Sequence, residues 1–154
     1  MNKNLHFSSE KDDWETPQKL FDELNEKYQF DIDVAASVRN AKLPKYFTKE
    51  DNALIQEWYG NVFCNPPYGR ELRKWLEKGY QEHLRVPERT IVFLIPARTD
   101  TSYWHDFIFG KAYIQFLRGR LKFEMNGASG NPAPFPSAIV VYGKKASEEN
   151  ESNG

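Results

Sequence analysis

The sequence predicts an α/β domain with a mostly parallel central sheet flanked by helices. The first observation is that two apolar runs of strand length, within residues 90–96 and 137–142, show no alternation with polar residues. Such runs are typical of strands buried on both faces. The second observation is that strand-like runs alternate with segments of helical periodicity, which favours parallel strands joined by helices. Because such sheets bind ligands at the carboxyl ends of their strands, we expect a site there.

Helices and strands can be assigned in order along the chain. Thr16 and Pro17 predict the start of the first helix, with threonine as the N-cap and proline at the first helical position. The apolar residues between positions 20 and 28 then fall on one helical face. Further helices are predicted for residues 51–58, 72–80 and 103–109. Strands are predicted for residues 30–35, 62–64, 90–96, 112–117 and 137–142.

Length and composition limit the possible functions. The chain has 154 residues, of which 40% are hydrophobic and 15% aromatic, as expected for one globular domain. A formal net charge of −1 excludes a protein that is basic overall, so contacts with nucleic acid would need local positive charge. Residues 1–13 and 144–154 are mainly polar, and we expect both segments to be flexible. The domain itself is predicted to span residues 14–143.

Metal sites, disulfides and membrane segments are not expected. The single cysteine, Cys64, excludes an internal disulfide and a CxxC zinc site. The histidines His6, His83 and His105 are far apart and form no ligand pattern. No apolar run approaches the ~20 residues of a membrane span, and the first residues lack the apolar segment of a signal peptide. We therefore expect a metal-free cytoplasmic protein.

The motif Asn65-Pro66-Pro67-Tyr68 directly follows the strand predicted for residues 62–64. Each proline lacks a backbone donor, fixes its own φ angle and keeps the preceding residue extended. The Asn65 side chain and the Pro66 backbone can therefore present two carbonyl acceptors close together. The Tyr68 ring supplies a flat face for stacking. This set of groups matches a planar ring that bears an exocyclic amine.

The chemistry that such a motif can perform is attack by an amine nitrogen on an electrophile. Each acceptor takes one N–H of the amine, which aims the nitrogen lone pair at an electrophile held opposite. Catalysis then depends on orientation and electrostatics, and it needs neither a covalent enzyme intermediate nor a general base. The alternative is a rigid turn without chemistry. The strand predicted before the motif and the helix predicted after it favour the catalytic interpretation.

At this motif the sequence resembles amino-group methyltransferases that act on adenine or cytosine in DNA, with S-adenosylmethionine as the donor. The chain as a whole resembles the small phage-encoded DNA adenine-N6 methyltransferases. The matching segments follow the expected order: WETP (14–17), DIDVAAS (31–37), YFTKEDNAL (46–54), FCNPPYG (63–69), FLIPARTDTSYW (93–104), GRLKF (119–123) and PFPSAIVVY (134–142). The resemblance implies a single Rossmann-like domain that methylates N6 of an adenine flipped out of DNA.

The resemblance also implies a set of cofactor-binding residues. They are Trp14, Thr16, Pro17, Asp33, Ala35, Asp51 and Asn65. Asp33 would end the first strand, close to the methionine end of S-adenosylmethionine. The loop after it lacks a G-x-G sequence, and its alanines permit close backbone approach less freely than glycine. Asp31 and Glu50 are the acidic candidates for the ribose hydroxyls.

These roles have alternatives. Thr16 and Pro17 could be only a helix cap, Asp33 could form a turn, and Asp51 could be the N-cap of the next helix. The acceptor could instead be cytosine N4 or the side-chain amide of a protein glutamine. The chain could also be a non-catalytic protein that binds DNA or cofactor on the same scaffold. Asparagine before the two prolines favours adenine by resemblance.

Contacts with DNA follow from the need to bring a base out of the helix. Tyr68 is the candidate for stacking on the base, and Phe123 or Phe135 could close its other side. The candidate phosphate contacts are Arg70, Arg98 and Arg120, near Arg73, Lys74, Arg118 and Lys122; a solvated surface is their alternative role. Residues 124–136 are the candidate segment for reading the DNA sequence. A phage origin would place the protein in the cytoplasm of a bacterial host.

Overall fold

A computed structural model describes residues 14–143, which form a five-stranded sheet, two helices and a small separate hairpin. The helices are α1 (Gln18–Tyr28) and α2 (Leu72–Arg85), with a 3-10 turn at Ala53–Ile55 and a π-helical turn at Trp104–Ile108. The strands are β1 (Ile32–Asp33), β2 (Val62–Cys64), β3 (Ile91–Pro96), β4 (Tyr113–Phe116), β5 (Glu124–Met125), β6 (Ala128–Ser129) and β7 (Ser137–Tyr142). The predicted α/β class is confirmed. The segments 1–13 and 144–154, predicted to be flexible, lie outside the described residues.

The strand order of the main sheet is β1-β2-β3-β7-β4. β1, β2 and β3 pair in parallel, whereas β7 pairs antiparallel with both β3 and β4. β7 therefore runs opposite to the other four strands of this sheet, which agrees with the prediction of a mostly parallel sheet but adds two antiparallel pairs. The carboxyl ends of β1 to β4 consequently lie at one edge, where Pro96 pairs with Ser137 at the start of β7. We call this edge the carboxyl edge.

Both faces of the sheet are covered, which explains its apolar strands. All six residues of β3 are buried. Val92 and Leu94 pack on the side of α1, and Ile91, Phe93 and Ile95 pack on the side of α2. Gly79 lets α2 lie close to the sheet, because a Cβ atom there would come within 2.3 Å of the Phe93 ring. The prediction of strands buried on both faces is confirmed.

The chain between β4 and β7, residues 117–136, lies at the carboxyl edge because it leaves β4 and enters β7 there. It contains the β5–β6 hairpin, in which Met125 pairs with Ala128. Asn126 and Gly127 form the turn with φ angles of 54° and 81°. An Asn-Gly pair is a strong signal for a two-residue hairpin turn, and our sequence analysis missed it. The hairpin brings Phe123 and Phe135 to the edge where β2 ends.

The predicted N-cap role of Thr16 is wrong. Helix α1 begins at Gln18, and Pro17 occupies the cap position with its carbonyl oxygen accepting from the Phe21 N–H at 3.0 Å. The cap residue itself makes no side-chain cap bond. The Thr16 hydroxyl accepts instead from the side chain of Asn65, which lies far away in the sequence. A tertiary hydrogen bond has replaced the local one.

Three other predicted elements are shorter or different. Residues 51–58 contain only the 3-10 turn, because Asn52 has a left-handed φ of 54° and Trp58 is held by other contacts. The Trp58 backbone N–H donates to the buried Glu82 carboxylate at 2.7 Å, and its indole N–H donates to the Ala53 carbonyl at 2.9 Å. The strand predicted for 30–35 is reduced to β1. The helix predicted for 103–109 is the π-helical turn.

Within residues 14–143, none of the helices has both the length and the apolar character that crossing a membrane requires. The same residues contain no group of three or more His, Cys, Asp or Glu side chains arranged to hold a metal ion. Cys64 is a free, buried thiol in β2.

Candidate active site

A cavity of about 850 Å³ lies at the carboxyl edge, beside the ends of β1 and β2. Five of the seven residues predicted to bind cofactor line it: Trp14, Thr16, Asp33, Ala35 and Asn65. Pro67 of the predicted catalytic motif lines it as well. The two remaining predicted residues, Pro17 and Asp51, are not part of its wall. Strand ends, the segment before α1 and the loop after β1 therefore meet in one place.

Asp33 shapes the cavity wall that follows β1. Its carboxylate is buried and accepts from the backbone N–H groups of Ala35 at 3.3 Å and Lys42 at 3.2 Å. Burial raises the pKa of Asp33 to about 6, and these two hydrogen bonds together with the Lys42 charge only partly oppose the rise. The carboxylate thereby binds both ends of the loop of residues 34–42. It also lies in the cavity wall, where it could bind a cationic group.

The loop after Asp33 needs no glycine. None of the described residues 34–42 has a positive φ angle, so this loop never enters the region that glycine alone adopts freely. The alanines at 35 and 36 are both partly exposed and line the cavity. The absence of G-x-G is therefore explained by a different loop path, fixed by side-chain and backbone hydrogen bonds.

Asp51 has a local role in this structure. Its carboxylate accepts from the Thr48 backbone N–H at 2.8 Å and from the Thr48 hydroxyl at 3.1 Å. Its neighbours Glu50 and Asn52 line the cavity, but Asp51 does not. Of the two acidic candidates for the ribose, Glu50 is in the wall, whereas the Asp31 carboxylate accepts from the Asn61 N–H at 2.8 Å.

Asn65 uses both ends of its side-chain amide. The Nδ2 atom donates to the Trp14 carbonyl oxygen at 2.5 Å and to Thr16 Oγ1 at 3.0 Å. The Oδ1 atom accepts from the Tyr68 hydroxyl at 2.7 Å. Because the Trp14 carbonyl can only accept, the nitrogen must face it, and this settles which end of the amide is which. The carbonyl oxygen consequently points toward Tyr68 and away from Trp14.

Tyr68 does not present an open face in this arrangement. It is 9% exposed, and its hydroxyl lies 3.0 Å from the Leu94 carbonyl oxygen as well as near Asn65. Its ring makes edge contacts with Phe135 at a centroid distance of 5.6 Å and with Phe123 at 6.2 Å. Trp14 also meets these two phenylalanines, at 5.4 and 5.2 Å. Aromatic side chains of residues 117–136 therefore pack against the ring predicted to stack on a base.

The comparison with known families identifies the family to which the chain belongs. A family model described as DNA N-6-adenine-methyltransferase (Dam) matches residues 4–152. The chain belongs to the Dam family. The resemblance predicted from the motifs is thereby confirmed.

Three curated proteins illustrate the relationship within the Dam family. The chain is 29% identical over 153 residues to the DNA N-6-adenine-methyltransferase of Haemophilus phage HP1, covering 95% of this chain and 87% of that protein. It is 30% identical over 123 residues to the DNA N-6-adenine-methyltransferase of Escherichia phage T1, covering 76% of this chain and 49% of that protein. It is 38% identical over 65 residues to the putative methyltransferase YfdM of Escherichia coli, covering 37% of this chain and 71% of that protein.

The arginines predicted to contact DNA lie beyond the carboxyl ends of three strands of this Dam-family chain. Arg70 follows β2, Arg98 follows β3 and Arg120 follows β4, and all three are exposed. The Arg98 guanidinium lies 5.8 Å from the centroid of the Phe135 ring, and Arg120 donates to the Ala133 carbonyl at 3.4 Å. The structure therefore brings these charges to the edge that carries Asn65.

Our sequence analysis missed the polar contacts that join the segment before α1 to the hairpin of this Dam-family chain. The Glu124 carboxylate accepts from the Gln18 N–H at 2.9 Å, and the Glu124 N–H donates to the Glu15 carbonyl at 2.9 Å. Arg39, from the loop after β1, lies 2.8 Å from the Glu15 carboxylate. These partners are separated by many residues, so no spacing in the sequence could have revealed them.

Proposed function

We propose that this chain transfers the methyl group of S-adenosylmethionine to N6 of an adenine in DNA. One observation carries the proposal: the Asn65 amide stands between the cavity and the aromatic cover of Tyr68, with its carbonyl oxygen on the Tyr68 side. An acceptor in that position can hold an amine next to a donor molecule in the cavity. Membership of the Dam family supports adenine in DNA as the acceptor.

The cavity fits S-adenosylmethionine in size and chemistry. Its volume of about 850 Å³ lies in the usual range for small-molecule sites, which is roughly 300–1,000 Å³. Asp33 and Glu50 offer carboxylates for the cationic and hydroxyl groups of the cofactor, and Trp14 and Trp75 offer apolar surface. When bound, the cofactor supplies an electrophilic methyl group. Pro17 and Asp51 belong to the proposed set as neighbours of the wall, since Pro17 follows Thr16 and the Asp51 carboxylate binds Thr48, which lines the cavity.

Asn65 and Pro66 bind the target amine in this proposal. The Asn65 Oδ1 atom and the Pro66 carbonyl oxygen each accept one N–H of the adenine amine, so that the nitrogen lone pair points into the cavity. Pro67 keeps Pro66 extended. The amine nitrogen would form a bond to the methyl carbon as the carbon–sulfur bond of the donor breaks and the sulfur keeps the electron pair. The nitrogen gives up one proton afterwards, when its positive charge has made it acidic. No side chain has to remove that proton first.

Tyr68 occupies one of the two acceptor positions of Asn65 Oδ1, and it can give up that bond when the amine binds. Its hydroxyl carries one proton, and the Leu94 carbonyl at 3.0 Å is a second acceptor for it. Rotation of the hydroxyl toward Leu94 frees Asn65 Oδ1 without moving either side chain. The Tyr68 ring then stacks on the base once Phe123 and Phe135 have moved from their edge contacts.

DNA is the proposed partner, and the flipped base is the proposed form of the substrate. Extruding a base costs about a few kcal/mol, which stacking and hydrogen bonds in the pocket offset. Arg70, Arg98 and Arg120 contact phosphates at the carboxyl edge, so binding weakens as salt concentration rises. The catalytic domain spans residues 14–143 in this proposal. Two of the matched relatives are phage proteins, which supports action in the cytoplasm of a bacterial host.

The test uses S-adenosylmethionine labelled in its methyl group and unmethylated double-stranded DNA. Label should enter the DNA, and digestion to nucleosides should release it as N6-methyldeoxyadenosine. Label in N4-methylcytosine would keep the mechanism and change the acceptor. No transfer to DNA, with the donor bound and a control enzyme active in the same buffer, would overturn the proposal in favour of a protein amide acceptor or a non-catalytic scaffold.

A further inference from the structure

The segment before α1 is in direct contact with the catalytic motif. Thr16 Oγ1 and the Trp14 carbonyl oxygen accept the two N–H groups of the Asn65 amide, at 3.0 and 2.5 Å. We infer that Thr16 is a positioning residue for methyl transfer, which holds the Asn65 amide so that its carbonyl oxygen faces the target amine. The inference rests on the function proposed above and assigns to Thr16 a role beyond lining the cofactor cavity.

Thr16 is available for this role because it does not cap α1. A threonine before a proline adopts an extended backbone, and here the helix starts only after Pro17. Thr16 is buried, with 3% of the residue exposed, so its hydroxyl has little contact with bulk water. A buried polar group needs a protein partner, and Asn65 provides it. The hydroxyl is thereby committed to a residue of the catalytic motif.

Two acceptors fix the Asn65 amide better than one. The Trp14 carbonyl determines which end of the amide is nitrogen, because a reversed amide would place two carbonyl oxygens against each other at 2.5 Å. A single bond would still let the amide plane turn about that contact. The second bond, to Thr16 at 3.0 Å, fixes the plane because the two N–H groups point in different directions. Asn65 Oδ1 is then held in a fixed direction before any amine arrives.

This arrangement lets Asn65 keep its position when Tyr68 changes its own hydrogen bond. The bonds to Trp14 and Thr16 are on the nitrogen side of the amide, and the bond from Tyr68 is on the oxygen side. Loss of the Tyr68 bond therefore leaves the nitrogen side unchanged. An acceptor that is already oriented does not have to reorganise during the reaction, which is the condition for effective electrostatic catalysis.

The test compares kcat and KM in the wild-type protein and three variants. Thr16→Val keeps the shape and removes the acceptor, and we expect kcat to fall roughly tenfold, as for one lost hydrogen bond, with little change in KM for donor or DNA. Thr16→Ser keeps the hydroxyl and should restore most of kcat. Thr90→Val is the matched control. Thr90 is also buried, but it directly precedes the first residue of β3 and so lies at the edge of the sheet opposite the carboxyl edge. This variant should leave kcat unchanged.

Several results would overturn the inference while the proposed function stands. They are an unchanged kcat in Thr16→Val, a rise in the donor KM alone, and a Thr16→Ser variant as slow as Thr16→Val. A double-mutant cycle adds a further criterion, because Thr16→Val should cause no additional loss of kcat in an Asn65→Ala protein. An equal loss in both backgrounds would show that Thr16 acts independently of Asn65. Absence of transfer by the wild-type protein would overturn the function itself and the inference with it.

A measurement on the wild-type protein covers the case that Thr16→Val does not fold. NMR resolves the two side-chain N–H signals of Asn65, which are identified by their absence from Asn65→Ala. Both signals should exchange with heavy water more slowly than those of the exposed Asn131. Exchange of both Asn65 protons as fast as that of the Asn131 protons would contradict the two hydrogen bonds and overturn the positioning role.

Discussion

Asp33 is a buried carboxyl in the wall of the cavity. Burial raises its pKa to about 6. Between pH 4 and 6 the carboxyl is therefore largely protonated in the folded state, whereas in the unfolded chain, where aspartate has its ordinary pKa, it has already lost its proton. The ionised form is thus unfavourable to folding, and this residue's contribution to stability improves as the pH falls from about 6 to about 4. A cation bound in the cavity would lower the pKa of Asp33, because it stabilises the carboxylate.

We predict that the affinity for S-adenosylmethionine depends on the ionisation of Asp33. Affinity should be highest near pH 7 and should fall as the pH drops below about 6, where the carboxyl is protonated and loses its charge. Titration calorimetry from pH 5 to 8 measures this directly. Asp33→Asn should bind the donor weakly at every pH in that range. A wild-type affinity that does not change with pH would separate Asp33 from the cofactor.

We predict that the two parts of Tyr68 contribute unequally. Tyr68→Phe keeps the ring and removes only the hydroxyl bonds to Asn65 and Leu94, so at least about a tenth of kcat should remain, as expected for neutral hydrogen bonds. Tyr68→Ala removes the stacking surface, and kcat/KM for DNA should fall about a hundredfold. Steady-state methylation assays with folding checked by circular dichroism measure both. Equal losses in the two variants would argue against stacking.

At the residue scale, the sequence predicted several of the groups that line the cavity but not how they are held. Asn65 could be predicted because it directly follows a strand, and the strands of a parallel sheet end at the same edge. Asp33 was implied by the family resemblance, since the strand predicted for residues 30–35 placed it inside a strand. The bond between Thr16 and Asn65 could not be predicted, because the local signal favoured a helix cap and the true partner lies 49 positions away. The cover of Tyr68 by Phe135 was likewise invisible in the sequence.

Helix α2 is joined to the chain before β2 and β3 by one buried carboxylate. Glu82 accepts from the Trp58 N–H at 2.7 Å and from Arg89 at 2.8 Å, and Arg85 lies 2.7 Å away. Burial alone would raise the pKa of Glu82, but the hydrogen bonds from Arg85, Arg89 and the Trp58 N–H, with the Lys78 charge, lower it to about 2. The ionised carboxylate therefore stabilises the folded state at all pH values above its ordinary range.

We predict that Glu82→Gln lowers the free energy of unfolding at pH 7 by about 3 kcal/mol, since it leaves the buried Arg89 without its charged partner. Because the folded pKa is lowered, this stabilisation is complete above about pH 4.5 and is lost as the pH falls toward 2. Urea unfolding at pH 7 and pH 3 should show a smaller difference between wild type and variant at pH 3. The exposed Glu77 of α2 gives the control, Glu77→Gln, and an equal effect there would contradict the role of Glu82.

At the element scale, the sequence analysis worked best where the signal was strong. The bounds predicted for β2 and β7 are those observed, since continuous apolar runs mark strands buried on both faces. The helix predicted for residues 51–58 was wrong, because the buried Trp58 bonds to Glu82 and Ala53 and draws the chain out of helical geometry. The β5–β6 hairpin was missed although Asn126 and Gly127 carried its turn signal.

The whole molecule brings four separate stretches of chain to one edge of the sheet. The segment before α1, the loop after β1, the motif after β2 and residues 117–136 all meet there. The α/β class and a site at the carboxyl ends of the strands could be predicted from alternating elements. The reversed direction of β7 could not, because an apolar run has the same appearance in either direction. That reversal is what brings Phe123 and Phe135 back over Tyr68.

The central claim is that Asn65 makes this chain a DNA adenine methyltransferase, and one comparison tests it directly. N6-methyladenine formed in DNA is measured by mass spectrometry for wild type and Asn65→Ala, with donor affinity measured by calorimetry on the same samples. Asn25→Ala is the control, since the Asn25 amide accepts the Phe30 N–H in the same fold at 2.9 Å but lies outside the cavity wall. We predict that Asn65→Ala lowers turnover by several hundredfold, equivalent to about 3.5 kcal/mol, and leaves donor affinity nearly intact. Turnover that is unchanged in Asn65→Ala, with wild type active, would contradict the account.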